Sequence, residues 1–227
     1  MAMTVLIIGA SRGLGLGLAK QFTSEGWQVI ATVRDPQRAS DLKSIDGIRV
    51  EALDITDPTG VDALIQRLDD TRLDVLYINA GISGARTLSA DTASDEEVGQ
   101  LFTTNAIAPV RLAKRMLPLV EPSGGVIVFM SSVMGSVEAG PGMGMPLYGA
   151  SKAALNHLTR TFVAGLGDES RYSVLSMHPG WVRTDMGGAE APLDVGTSCR
   201  GMVEQVTGAA GKPGHRYIDY QGQTLPW

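Results

Sequence analysis

The sequence predicts an α/β fold: a single doubly wound parallel sheet of about seven strands, with helices on both faces. Three observations predict it. Short runs rich in Val and Ile alternate with longer stretches of helical periodicity. A glycine-rich turn joins the first such run to the first helical stretch. The 227 residues contain no repeat, low-complexity tract or linker, so residues 1–227 read as one domain.

In chain order, residues 3–8 form a buried strand that ends at Gly9. Residues 13–25 form a helix, with Leu14, Leu18 and Phe22 at helical spacing, and Gly26 stops it. Residues 28–33, 48–53 and 74–78 supply the next three strands. Residues 58–70 form a helix with Pro58 in its first turn. Two adjacent helices follow at 94–108 and 109–120, the first with an acidic start over residues 91–97. A fifth strand at 125–130, a long helix at 147–166 and a sixth strand at 172–177 come next. A helix at 194–205 and a last short strand at 215–218 complete the pattern. Right-handed crossovers between such elements give a Rossmann-type sheet, whose ligands sit beyond the carboxyl ends of the strands.

Composition narrows the class of function. The chain is 44% hydrophobic and 19% charged, ordinary for a globular domain. A net charge of -5 and the lack of any Lys/Arg run argue against nucleic acid as partner. No segment approaches the roughly 20 apolar residues of a membrane span, and the apolar run Val5 to Ile8 is too short for a secretory leader. The single Cys199 excludes an intrachain disulfide and suits a reducing, cytoplasmic setting, where it reads as a small buried apolar side chain. His157, His178 and His215 have no second ligand at metal spacing, so no metal is expected.

The strand ends carry the chemistry. Gly9, Gly13 and Gly15 are spaced G-x-x-x-G-x-G, which lets a pyrophosphate approach backbone N–H groups at a helix N-terminus. The second strand ends in Arg34 rather than an acid, and Arg12 stands inside the glycine loop. Two guanidinium groups there fit a 2′-phosphate, so NADP(H) is expected ahead of NAD(H), with Asp35 as the one adjacent counter-charge. Further on, Tyr148 and Lys152 lie four apart on one face of the long helix. A neighbouring ammonium favours phenolate, and lowering a phenol by three units takes about 4 kcal/mol. Ser131 and Ser132 end the fifth strand, where a hydroxyl can donate to a substrate carbonyl.

Taken together, these motifs closely resemble the short-chain dehydrogenase/reductase family over essentially the whole chain. The resemblance implies that the glycine loop, with Ser11, Arg12 and Leu14 in it, binds pyrophosphate. It implies that Asp54, followed by Ile55, contacts the adenine, and that Asn79, Ala80 and Gly81 border the cofactor. Asn105 matches the asparagine that holds a water next to the active-site lysine. Ser132, Tyr148 and Lys152 match the remaining catalytic residues, and Pro179 to Thr184 matches the stretch where Val182 and Thr184, after Gly180, meet the nicotinamide carboxamide. Two departures stand out. Ile8 replaces the family's usual Thr before the first glycine, and the segment between Ser132 and Tyr148 is about three residues longer than common. That extra length leaves Ser131 and Ser136 as alternatives to Ser132.

Within the family, Ser131 to Ser136, His178 to Gly188 and the ending Tyr217 to Trp227 resemble the carbonyl-reductase-like branch that includes the C-factor proteins. The expected activity is NADP(H)-dependent hydride transfer between the cofactor and a carbonyl or alcohol substrate, with Tyr148 as acid or base. The rival is a cofactor-binding signalling protein of C-factor type with little or no turnover. Met134, Met143, Met145 and Met186 read equally as an adaptable apolar pocket or as core filling. Family members commonly pair through the helices at 109–120 and 147–166, so a homodimer is expected, with tetramer and monomer both open.

Overall fold

The computed structural model describes residues 2–85, 87–167 and 170–227. Its strands are β1 (Thr4–Ile8), β2 (Gln28–Val33), β3 (Ile48–Ala52), β4 (Val75–Ile78), β5 (Val126–Met130), β6 (Ser173–His178) and β7 (Gly214–Asp219). The helices are α1 (Gly13–Ser24), α2 (Ser40–Lys43), α3 (Pro58–Arg67), α4 (Asp95–Phe102), α5 (Ala108–Met116), α6 (Pro146–Ala164) and α7 (Val195–Ala209). The strands form one sheet in the order β3-β2-β1-β4-β5-β6-β7, and every pairing is parallel. This is the doubly wound Rossmann-type sheet that the alternation of elements predicts.

Strand pleating sorts the core into two layers. Val5 and Ile7 face α1 and α7, where they meet Leu18, Phe22, Met202 and Val206. Leu6 and Ile8, one residue out of phase, face the opposite layer of Leu64, Leu112, Leu155 and Phe162 from α3, α5 and α6. Each such fully buried side chain contributes about 1.5–3 kcal/mol. Helix starts are fixed by polar caps. Asp57 accepts from the Thr59 N–H before α3, and Ser94 and Glu97 cap α4 reciprocally.

One boundary differs from the sequence expectation. Instead of breaking before Pro109, the chain runs from α4 through a π turn (Thr103–Ile107) directly into α5. Pro109 has no N–H, so the Asn105 carbonyl lacks its ordinary i+4 donor. A widened turn accommodates that gap. The short helix α2 and a 3₁₀ turn at Val133–Gly135 also lie outside the sequence reading.

The strand order reverses between β1 and β4. Their carboxyl ends therefore splay apart and open a crevice at the switch point. Every site residue below lies at that end of the sheet or on the helices that border it.

Candidate active site

The crevice is a cleft of roughly 800 Å³, within the range of small-molecule sites. At its floor, Gly9 has φ +88, and a Cβ there would stand 2.8 Å from the Ala80 backbone. A Cβ on Gly15 would stand 2.1 Å from the Gly9 carbonyl. Only glycine lets β1, α1 and the end of β4 approach so closely. Asn79 locks the contact by donating through Nδ2 to the Gly9 carbonyl at 2.6 Å. The N-terminus of α1 has no side-chain cap, so its first N–H groups remain available to an anion.

Arg34 stands exposed at the mouth of the cleft, and its charge helps to hold the Asp54 carboxyl below its ordinary range. Hydrogen bonds from Thr56 to Asp54 are the larger cause. The Asp35 carboxylate caps the following turn by accepting from the Gln37 N–H at 2.9 Å. Arg12 reaches across the mouth to Asp185, with Nη1 2.8 Å from Oδ2. The two arginines both line the cleft, but Arg12 is engaged with this acid on the far wall.

At the other end, α6 presents Tyr148 and Lys152. The Lys152 ammonium donates to the Met130 carbonyl at 2.8 Å and lies 5.7 Å from the centre of the Tyr148 ring. Burial pushes Tyr148 up to about 12, opposed by a hydrogen bond from Ser132. Burial also pushes Lys152 down to about 8. Without a bound cofactor, burial is the largest influence on the phenol and favours its protonated form. Gly81 faces both Asn105 and Lys152, and a Cβ there would stand 3.2 Å from Asn105 Oδ1 and 3.4 Å from Lys152 Nζ.

A cleft with a glycine-rich turn at one end and Tyr148 and Lys152 at the other brings the sequence motifs together. A model of the short chain dehydrogenase family matches residues 3–192. The chain belongs to that family. A short-chain dehydrogenase/reductase from Burkholderia multivorans, solved with bound NADP, superposes with a TM-score of 0.96 at 36% identity over 100% of both chains. A carbonyl reductase from Pseudomonas aeruginosa PAO1, in complex with NADP, superposes with a TM-score of 0.92 at 44% identity, again over 100% of both. The C-signal protein of Myxococcus xanthus is 39% identical over 156 residues, covering 68% of this chain and 93% of its own.

The dehydrogenase cleft brings most of the expected residues together. Gly9, Ser11, Arg12, Gly13, Leu14, Arg34, Asp54, Ile55, Asn79, Ala80, Gly81, Tyr148, Lys152, Pro179 and Thr184 all line it. Gly15, Gly180 and Val182 stand behind the lining as supports. A Cβ on Gly180 would stand 2.9 Å from Leu193, and Val182 is buried. Asn105 is fully buried, and its side chain is occupied. Oδ1 accepts from the Ile82 N–H at 2.8 Å, while Nδ2 donates to the Ile82 carbonyl and to Ser151 Oγ. Of the three candidate serines, Ser131 lines the cleft, while Ser132 is buried just behind it, accepts from the Met134 N–H at 3.2 Å, and is the one whose hydroxyl lowers the Tyr148 phenol. Ser131 donates to Asn156 at 2.7 Å, and Ser136 accepts from the Ala139 N–H at 2.8 Å.

Sequence reading missed several groups here. The Thr32 hydroxyl on β2 accepts from the Gly9 N–H at 3.0 Å, so a threonine on the neighbouring strand bonds the loop beside Ile8. Gln100 and Thr103, at the end of α4 and in the π turn, line the cleft opposite the glycine loop, as do Asp185 and Met186 after β6. Tyr217 lies behind Ser132 and donates to its carbonyl. A threonine or tyrosine inside an apolar strand gives no local sign of its partner.

Proposed function

We propose that this dehydrogenase is an NADP(H)-dependent reductase of carbonyl compounds, with Tyr148 as the proton donor. The observation that carries this reading is geometric: Tyr148 lines one end of the cleft with the Lys152 ammonium 5.7 Å from its ring, and the other end is a glycine turn free of side chains. The NADP-bound Burkholderia and Pseudomonas structures support the cofactor, and the Pseudomonas carbonyl reductase supports the reaction class. The cradle fits a dinucleotide on its own chemistry. Its glycines leave no side chain over the α1 N-terminus, and Arg34 supplies a cation for a 2′-phosphate.

When bound, the reduced nicotinamide supplies the hydride that adds to the carbonyl carbon. Tyr148 gives its phenolic proton to the oxygen as that oxygen takes up negative charge, so the product is a neutral alcohol. Ser132 donates a hydrogen bond to the same oxygen and holds it against the phenol. Lys152 stabilises the phenolate left behind and binds the nicotinamide ribose. The Asn105 main-chain carbonyl, short of its i+4 donor, holds a water that carries protons to Lys152 from solvent. Thr184, which lines the cleft, would hold the nicotinamide carboxamide, with buried Val182 supporting it from behind.

The C-signal relative favours a second reading, a cofactor-binding signalling protein with little or no turnover. Consumption of NADPH against a panel of aldehydes, ketones and quinones separates the two. Turnover of any member supports the reductase. Tight NADPH binding with a silent panel overturns it in favour of signalling. Among the described residues no helix is long and apolar enough to cross a membrane. The lone Cys199, a free buried thiol, is the feature that supports a cytoplasmic setting.

A further inference from the structure

We propose that Tyr217, Asn156 and Ser131 form a positioning set that fixes Ser132 for hydrogen-bond donation at the reaction centre. The inference rests on the reading of Ser132 above. Ser132 ends β5 with extended backbone, φ -156 and ψ 147, and its Oγ accepts from the Met134 N–H at 3.2 Å. Its carbonyl points the other way, into the core, and accepts from the Tyr217 phenol on β7. Burial pushes the same phenol up, and the Asn156 and Ser131 side chains oppose that rise. Ser131 Oγ donates to Asn156 Oδ1 at 2.7 Å, and Asn156 Nδ2 donates to the Gly135 carbonyl at 3.2 Å. Both ends of the turn from Ser132 to Gly135 are therefore tied to buried polar groups, one on β7 and one on α6.

Burial gives these ties their force. Tyr217 and Ser131 are each 1% exposed and Asn156 is 4% exposed, so water cannot replace a lost bond. Packing alone would be served by Phe at 217 and Leu at 156, without desolvating a phenol and an amide. The Trp227 ring, 5.1 Å away, holds the far side of Tyr217. On the helix side the turn has no slack: a Cβ on Gly135 would stand 2.8 Å from the Lys152 backbone. The Tyr217 tie fixes the Ser132 backbone, and the Met134 N–H at 3.2 Å fixes the rotation of Oγ about the Cα–Cβ bond. The two ties together aim the hydroxyl, and aim within about 0.5 Å matters for a group acting on a transition state.

The test is a double-mutant cycle read by single-turnover hydride transfer at high enzyme concentration. Tyr217→Phe is expected to lower the wild-type rate about tenfold, with KM and NADPH affinity within about twofold. In a Ser132→Ala background the same substitution is expected to change the residual rate by less than about twofold, because the group it aims is gone. An equal loss in both backgrounds, or no loss in the wild type, overturns the proposal. If Tyr217→Phe does not fold, Ser131→Ala is put through the same cycle with the same expectations. Full turnover in Ser132→Ala alone removes the reading of Ser132 itself, and the proposal falls with it. That outcome is distinguished by the single variant.

Discussion

Burial acts against the charged form of both Lys152 and Tyr148, driving the amine down to about 8 and the phenol up to about 12. Near neutral pH the pair is an ammonium beside a neutral phenol, the state that donates a proton in reduction. The buried amine carries a stability penalty. Between about 8 and the ordinary 10.5 the unfolded chain binds more protons at this residue than the folded one, so stability rises with pH through that window. Below the window the penalty is full. Lys152→Met is therefore expected to be inactive yet more stable by about 1–2 kcal/mol at neutral pH, despite the lost bond to Met130. Its advantage should shrink as pH rises through the window. Denaturant melts at neutral and alkaline pH check this, and a less stable variant at neutral pH would contradict it. Arg34 makes a separable prediction. Removing one charged contact to a phosphate costs about 1.5–3 kcal/mol, so Arg34→Ala should weaken NADPH about tenfold or more and spare NADH. Equal loss for both cofactors in a titration would exclude Arg34 as the 2′-phosphate ligand.

The glycine loop shows how elements, rather than single groups, hold the cofactor end. Gly9 combines φ +88 with a Cβ position 2.8 Å from Ala80, so Gly9→Ala must push the start of α1 away from the end of β4. Affinity for NADPH and NADH should fall together, by about tenfold or more, with a lower melting temperature. Selective loss of NADPH alone would contradict that account. The loop was legible in the sequence because its glycines are local. So were the strands and most helices, whose apolar periods of two and 3.6 match the two core layers. The π turn was not legible, because a proline reads as a break until packing carries the helix past it. Tyr217, Thr32 and Asp185 were not legible either. They meet Ser132, Gly9 and Arg12 across 85, 23 and 173 residues of chain, contacts that only the assembled sheet creates.

Over the whole molecule, the sheet aligns a glycine-rich turn, Arg34 and the Tyr148 phenol along one cleft. Pairing of two such molecules through α5 and α6 remains a proposal from family likeness. The apolar residues of α6 are largely used within the chain: Leu155 and Phe162 are buried, and Ala154, Leu158 and Val163 pack against the core. A dimer would therefore join through small and polar positions of the outer helix faces. Light scattering should give a mass about twice 23.9 kDa, and a value near 23.9 kDa at micromolar concentration would refute the pair. The central claim is that Tyr148 transfers the proton while the rest of the cleft binds the cofactor. The most direct test measures turnover and NADPH affinity side by side in Tyr148→Phe. The account predicts turnover reduced by about a hundredfold to ten-thousandfold, with NADPH affinity within about twofold of wild type. Retained turnover with an intact cofactor site would contradict it.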